Sequence, residues 1–131
     1  MYAFDPRDKA KQRRAREILK RGFEAGSIRI AHQAVVEFFS VVTRRDRKIE
    51  PLLGETEARR EVEELMAHVD VLYPNDAVVR AAIRGAATYQ LSWYDAHMWA
   101  YAEVFGLDEL ISEDFQHDRL YGTVRVVNPF R

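Results

Sequence analysis

The 131-residue sequence contains no cysteine. Disulfides, thiolate-rich zinc sites and a cysteine nucleophile are therefore excluded, and a reducing cytoplasm is the expected setting. Long hydrophobic runs are absent as well. The longest falls far short of the roughly 20 apolar residues that cross a bilayer, and no signal-peptide pattern precedes the first helix, so no membrane role is expected. Net charge is nearly absent too, with 20 Lys+Arg against 21 Asp+Glu. Overall charge thus favours neither nucleic acid nor a membrane surface, and any such preference would have to come from a local patch. No glycine-rich loop cradles a phosphate, and no sequence context marks a serine nucleophile. No repeat, low-complexity tract or Pro/Gly/Ser-rich linker divides the chain, so residues 1–131 are expected to form a single domain.

What is present is the composition of a folded protein, 47% hydrophobic and 31% charged. Tyr2-Ala3-Phe4 reads as the tail of a strand and meets Asp5-Pro6-Arg7-Asp8, a helix start with a capping oxygen and an early proline. That helix is expected to run to about Gly26, with Ala15, Ile18, Leu19, Gly22 and Phe23 inward. A short strand at 28–30 leads into an apolar helix holding Ala34, Val35, Val36, Phe38, Phe39, Val41 and Val42. After a break at 51–54, Ala58, Val62, Leu65, Met66 and Val69 recur at helical spacing, and a strand follows at 69–73. Asn75 then caps a helix with Val78, Val79, Ala82, Ile83 and Ala86 inward, and Ser92 caps another that ends at Gly106. Strands at 110–112 and 124–127 complete the chain. Short apolar strands alternating with helices imply an α/β fold with a mostly parallel sheet covered on both faces, and such sheets bind ligands beyond the carboxyl ends of their strands.

Three carboxylates stand where that rule directs attention. Glu37, in Val35-Val36-Glu37-Phe38-Phe39, shares a narrow polar strip with Gln33, Ser40 and Arg44. The strip reads either as an exposed helix face or as the lining of a polar cleft. Asp95 follows Ser92 by three positions, which fits a capping box as well as a carboxylate projected from a positive helix end. Asp114 lies just beyond the strand at 110–112, where an aspartate is ordinary in a turn and also correctly placed for a ligand. Together they offer the hard oxygen donors that magnesium and manganese prefer.

The segments Tyr2-Ala3-Phe4-Asp5, Val36-Glu37-Phe38-Phe39, Ser92-Trp93-Tyr94-Asp95-Ala96, Ser112-Glu113-Asp114-Phe115-Gln116-His117 and Val127-Asn128-Pro129-Phe130 occur in order along the chain. In order and spacing the sequence resembles the PIN-domain family, and especially its bacterial VapC-type toxins. The resemblance implies a three-layer α/β/α sandwich and Mg2+- or Mn2+-dependent cleavage of RNA. It also implies a homodimer and an antitoxin protein as the partner in a type II toxin–antitoxin pair. Glu37, Asp95 and Asp114 match the family's catalytic, metal-binding acids; Asp118 is a looser match for an outer carboxylate, and Ser112 for a residue that orients the site by hydrogen bonding. One departure stands out. The family's first strand carries an Asp-Thr-Asn-like acidic motif a few residues before the position of Tyr2, and the sequence as given begins after it. Weakened metal binding, little ribonuclease activity and lower stability than an N-terminally extended chain are therefore expected. A non-catalytic interaction or dimerisation module of the same fold is the alternative reading, and a nuclease acting on DNA is a third.

Basic residues crowd the first helix (Lys9, Lys11, Arg13, Arg14, Arg16, Lys20 and Arg21), and a second cluster holds Arg44, Arg45, Arg47 and Lys48. The second cluster follows the Glu37 helix and is the better candidate for contact with an RNA backbone. The histidines at 32, 68, 97 and 117 have no zinc-site spacing and read as structural or exposed. Trp93, Tyr94, Trp99, Tyr101 and Phe105 suit core packing or a dimer interface at this helical spacing, with base stacking as the competing reading.

Overall fold

In the computed structural model, which describes residues 8–43 and 53–131, the first element is helix α1 (Lys9–Ala25). Asp8 starts it by accepting from the Lys11 N–H at 3.1 Å. Gly26 ends it in the left-handed region at φ 64°, where the Gly26 and Ser27 N–H groups bond back to Phe23 and Gly22. Asp5 and the segment 2–4 lie outside the described residues, so the cap shown here is Asp8. No α1 residue is fully buried. The chain divides after Leu72 into two compact units.

The first unit continues with β1 (Arg29–Ala31), α2 (His32–Thr43), α3 (Glu55–His68) and β2 (Asp70–Leu72). Strands β1 and β2 pair in parallel with Arg29 opposite Asp70, and their side chains form an ion pair at 3.3 Å. The apolar core gathers Val42, Leu53 and Ala58, with Phe38 and Phe39 packed against them. Only one side of α2 meets this core. Val35 and Val42 are buried whereas Val36 is 54% exposed, so the apolar surround of Glu37 is narrower than its sequence implies.

The second unit holds α4 (Asp76–Tyr89), α5 (Trp93–Val104), β3 (Glu109–Ile111), β4 (Leu120–Tyr121) and β5 (Val124–Val127). Asn75 and Ser92 cap α4 and α5 as their sequences predict, through bonds from the Val78 and Asp95 N–H groups. The sheet order is β3-β5-β4, parallel between β3 and β5 and antiparallel between β5 and β4. Strand β4 has no counterpart in the sequence reading, because two residues carry no legible periodicity. The sheets are thus parallel in two of their three ladders.

Helix α4 turns a different face inward from the one its largest apolar residues suggest. Val78, Ala81, Ala82 and Gly85 are buried, while Val79 and Ile83 are 38% and 55% exposed. The reason is Trp99 of α5, which lies so close that a Cβ on Gly85 would sit 2.5 Å from its ring. Small residues at this contact let the two helices approach. Trp99 also donates its buried Nε1–H to the Tyr121 carbonyl at 3.0 Å. Tyr89 meets both Trp99 and Tyr121 edge to face, and Phe115 meets Tyr121 in the same manner. Four aromatic rings thus join α4, α5, β4 and the loop after β3.

Two substitutions test this packing. Gly85→Ala forces the Trp99 ring away from α4 and is expected to cost about 1–3 kcal/mol, as overpacking does; chemical denaturation reads the loss. Trp99→Phe leaves the Tyr121 carbonyl without its donor and is expected to cost about 1–3 kcal/mol. Unchanged unfolding midpoints would refute the close contact and the buried bond respectively.

Candidate metal centre

Asp95 is the third residue of α5, in its first turn. Its N–H donates to Ser92 Oγ at 3.2 Å, which is one half of a capping box. The other half is missing: among the described residues no hydrogen bond runs from the Ser92 N–H to the Asp95 carboxylate. That carboxylate is half-buried and left available, at the positive end of a helix dipole. Asp95 also stands one helical turn before Trp99, so the buried indole fixes the face from which it projects.

Asp114 follows β3 in the turn at 112–114. The Asp114 N–H donates to Ser112 Oγ at 3.1 Å, and the Ser112 N–H donates to the Val127 carbonyl at 3.1 Å. Ser112 therefore shapes the turn through its hydroxyl, by touching the backbone of Asp114. On the other side, the buried Phe115 ring anchors the same turn against Tyr121, whose hydroxyl accepts from the Gln116 N–H at 3.3 Å.

The charge of Asp95 reaches Asp114. Partial burial, then the charge of Asp95, then that of Glu113, push the Asp114 carboxyl above its ordinary value. A raised native value means that the folded protein holds the proton more tightly than the unfolded chain. The resulting stabilisation is present at low pH and is lost as pH rises through the native value. Burial and the neighbouring charges thus disfavour the ionised form of Asp114, which a bound cation would favour.

The other sequence candidates have different surroundings. Glu37 is exposed on α2, in the first unit, where Gln33 Nε2–H donates to its Oε1 at 3.3 Å. Asp118 has φ 58°, and its Oδ1 pairs with Arg125 Nη1 at 3.0 Å, a bond that fastens the loop to β5. His117 Nδ1 accepts from the Asn128 N–H at 2.9 Å, and His97 Nδ1–H donates to the Trp93 carbonyl at 2.8 Å. Both rings are therefore used in local structure. Arg44, Arg45, Arg47 and Lys48 lie outside the described residues. On α1, Lys9, Arg13 and Lys20 are exposed, while Glu17 is clasped by Arg14 and Arg21; hydrogen bonding to Arg14 and the charge of Arg21 hold its carboxyl below its ordinary value.

Among the described residues no group of three or more histidine, aspartate or glutamate side chains gathers as a metal cluster. The Asp95–Asp114 pair alone nevertheless fits a hard divalent cation. Both donors are oxygens and they repel one another, and magnesium is commonly held by one or two carboxylates with water and phosphate oxygens completing its shell. Sequence reasoning missed the contribution of Glu113 to this charge cluster and the aromatic packing beneath it. The run of three polar residues in Ser112-Glu113-Asp114 was the available signal for the first.

The pair makes a direct prediction. Asp95→Asn removes one of the charges acting on Asp114, and the Asp114 carboxyl then titrates closer to its ordinary value, as read by carboxyl-carbon NMR. An Asp114 titration identical in the two proteins would mean that the acids are not electrostatic neighbours.

No curated protein matches the chain. The family model described as PIN domain matches residues 1–122. PIN domains have an α/β fold and are in general metal-dependent nucleases. With the parallel β1–β2 pair, a capped helix presenting Asp95 and a post-strand turn presenting Asp114 all inside the matched span, the chain belongs to the PIN-domain family.

Proposed function

We propose that residues 1–131 are one PIN domain acting as a divalent-metal-dependent endoribonuclease in the cytoplasm, the toxin of a type II toxin–antitoxin pair. What supports this reading is the placement of Asp95 in the first turn of α5 and of Asp114 in the turn beyond β3, where the charge of Asp95 acts on the partly buried Asp114 carboxyl. A protein that ionises two neighbouring acids at neutral pH gains most from doing so when a cation sits between them. Asp95 and Asp114 would hold Mg2+ or Mn2+, and Glu37 is proposed as a third acid on its match to the family's motif alone. When bound, such an ion supplies an activated water and offsets the charge that builds on a phosphodiester during cleavage.

The chain's own residues have separable tasks. Ser112 sets the turn that aims Asp114, and Ser92 sets the first turn of α5 that aims Asp95. Asp118 supports the same loop through Arg125 and acts at a remove from the substrate. The basic residues Arg44, Arg45, Arg47 and Lys48 are proposed contacts to the RNA backbone, with binding that weakens steeply as salt rises. A homodimer and an antitoxin are the proposed protein partners, again by family likeness.

Manganese titration calorimetry on the chain and on Asp95→Asn tests the metal reading. Saturable binding that the variant loses is the expected result. Any Mg2+-dependent RNA cleavage by the chain should be lost in Asp95→Asn and in Asp114→Asn, each of which removes one of the two carboxylates. An absence of both metal binding and cleavage in the parent chain would leave a non-catalytic interaction module. Cleavage of single-stranded DNA in preference to RNA would move the activity to the other nucleic acid.

A further inference from the structure

Helix α1 concentrates positive charge. Its 17 residues carry seven lysines and arginines against two glutamates, in a chain whose totals are 20 and 21. These cations are not spread evenly around the helix. At about 100° per residue, Lys9, Arg13, Arg16 and Lys20 fall within an arc of roughly 60°, and all four are exposed. The half-buried residues Ala15, Ile18, Leu19 and Gly22 lie on the opposite side, so the four cations run down the middle of the solvent face. Ion pairing on the helix sits to one flank, where Arg14 and Arg21 clasp Glu17. Arg16 already has an interaction within the fold, and Lys9, Arg13 and Lys20 carry the stripe without it.

Local helix physics does not account for this arrangement. A helix is stabilised by acidic side chains in its first turn and basic ones in its last, and α1 has neither. Like charges at i,i+3 and i,i+4 repel, and the stripe repeats those spacings from Lys9 to Lys20. What the stripe offers is a line of positive charge about 16 Å long, at about 1.5 Å per residue. A phosphodiester backbone is likewise a line of closely spaced like charges, of the opposite sign. A protein partner fits less well. Protein interfaces centre on apolar and aromatic side chains and are depleted in lysine, whereas the one large exposed apolar residue of α1, Phe23, lies beyond the last of these cations.

We infer that Lys9, Arg13 and Lys20, with Arg16 on the same line, bind the phosphate backbone of RNA as a contact additional to the carboxylate pair and to the basic cluster at 44–48. That the polyanion is RNA rests on the ribonuclease reading; the stripe itself rests on helix geometry and exposure. Phosphate contacts hold and orient a strand and carry no base information, so this surface supplies affinity and leaves the choice of sequence to other residues. Cations laid along a phosphate backbone release its condensed counterions, which makes binding through the stripe steeply salt-dependent.

The test measures binding of a fluorescein-labelled oligouridylate by anisotropy in EDTA, over a series of salt concentrations. Two triple variants lose equal charge: Lys9→Gln with Arg13→Gln and Lys20→Gln on α1, and Arg59→Gln with Arg80→Gln and Arg84→Gln on α3 and α4. Glutamine has a helix propensity close to that of lysine and arginine, so both variants should fold, which circular dichroism reads. The α1 variant is expected to bind about 10- to 100-fold more weakly at about 0.1 M salt. It should also lose about 2 units from the slope of log K against log salt, as three lost contacts to a single strand would. The α3 and α4 variant should keep the parent slope. Salt-independent binding, no binding by the parent chain, or equal losses in the two variants would each overturn the inference. So would tighter binding of an oligoglutamate of equal charge, which would give the stripe to an acidic protein segment. Manganese titration of the α1 variant reads the carboxylate pair separately. Metal binding beside an overturned stripe leaves the nuclease reading intact. A stripe that binds RNA in a chain that binds no metal does the reverse.

Discussion

The second unit depends on one buried hydrogen bond and the rings around it. Trp99 reaches from α5 to the Tyr121 carbonyl on β4; Tyr89 of α4 closes on both rings, and Phe115 of the loop after β3 closes on that of Tyr121. An indole N–H buried without a partner is costly, and so is an unpaired backbone carbonyl. Helix and sheet are therefore fixed to one another at a defined point. Both candidate acids hang from that point: Asp95 lies one helical turn before Trp99, and Asp114 is the residue before Phe115. Aromatic packing thus sets the spacing of two carboxylates that would otherwise move apart.

That arrangement carries a cost which the fold accepts. Asp95 and Asp114 repel, and the partly buried Asp114 is harder to ionise than a free aspartate. The Ser112 hydroxyl and the Ser92 cap set the two turns that carry them. Asp118 shows the contrast. Its carboxylate has a cation of its own in Arg125 and needs no other.

Much of this was legible in the residues. Asn75 and Ser92 announced the starts of α4 and α5 because a short polar side chain before an apolar run has one good use there. The strand at 124–127 was evident from its unbroken valines and arginine, and its bounds agree with β5. Less legible was the orientation of α4. Val79 and Ile83 are its obvious apolar residues, yet they face outward, because the inner side is the one on which Gly85 lets Trp99 approach. Strand β4 was missed for a related reason: its two residues are a strand only because β5 pairs with them.

By itself the sequence determined the α/β class, the caps at which α4 and α5 begin, the absence of thiol chemistry and the set of acids worth watching. These follow from local rules, in which capping, periodicity and residue chemistry act within a few positions of each other. Tertiary structure alone decided that the charge of Asp95 reaches Asp114, nineteen positions further along the chain, and that Asp118 pairs with Arg125. It alone separated Trp93 and Tyr94 from Trp99 and Tyr101, four aromatics that one helix carries within nine positions. Electrostatic coupling and burial depend on distance through space, and that distance is set by packing between elements, which no local pattern encodes.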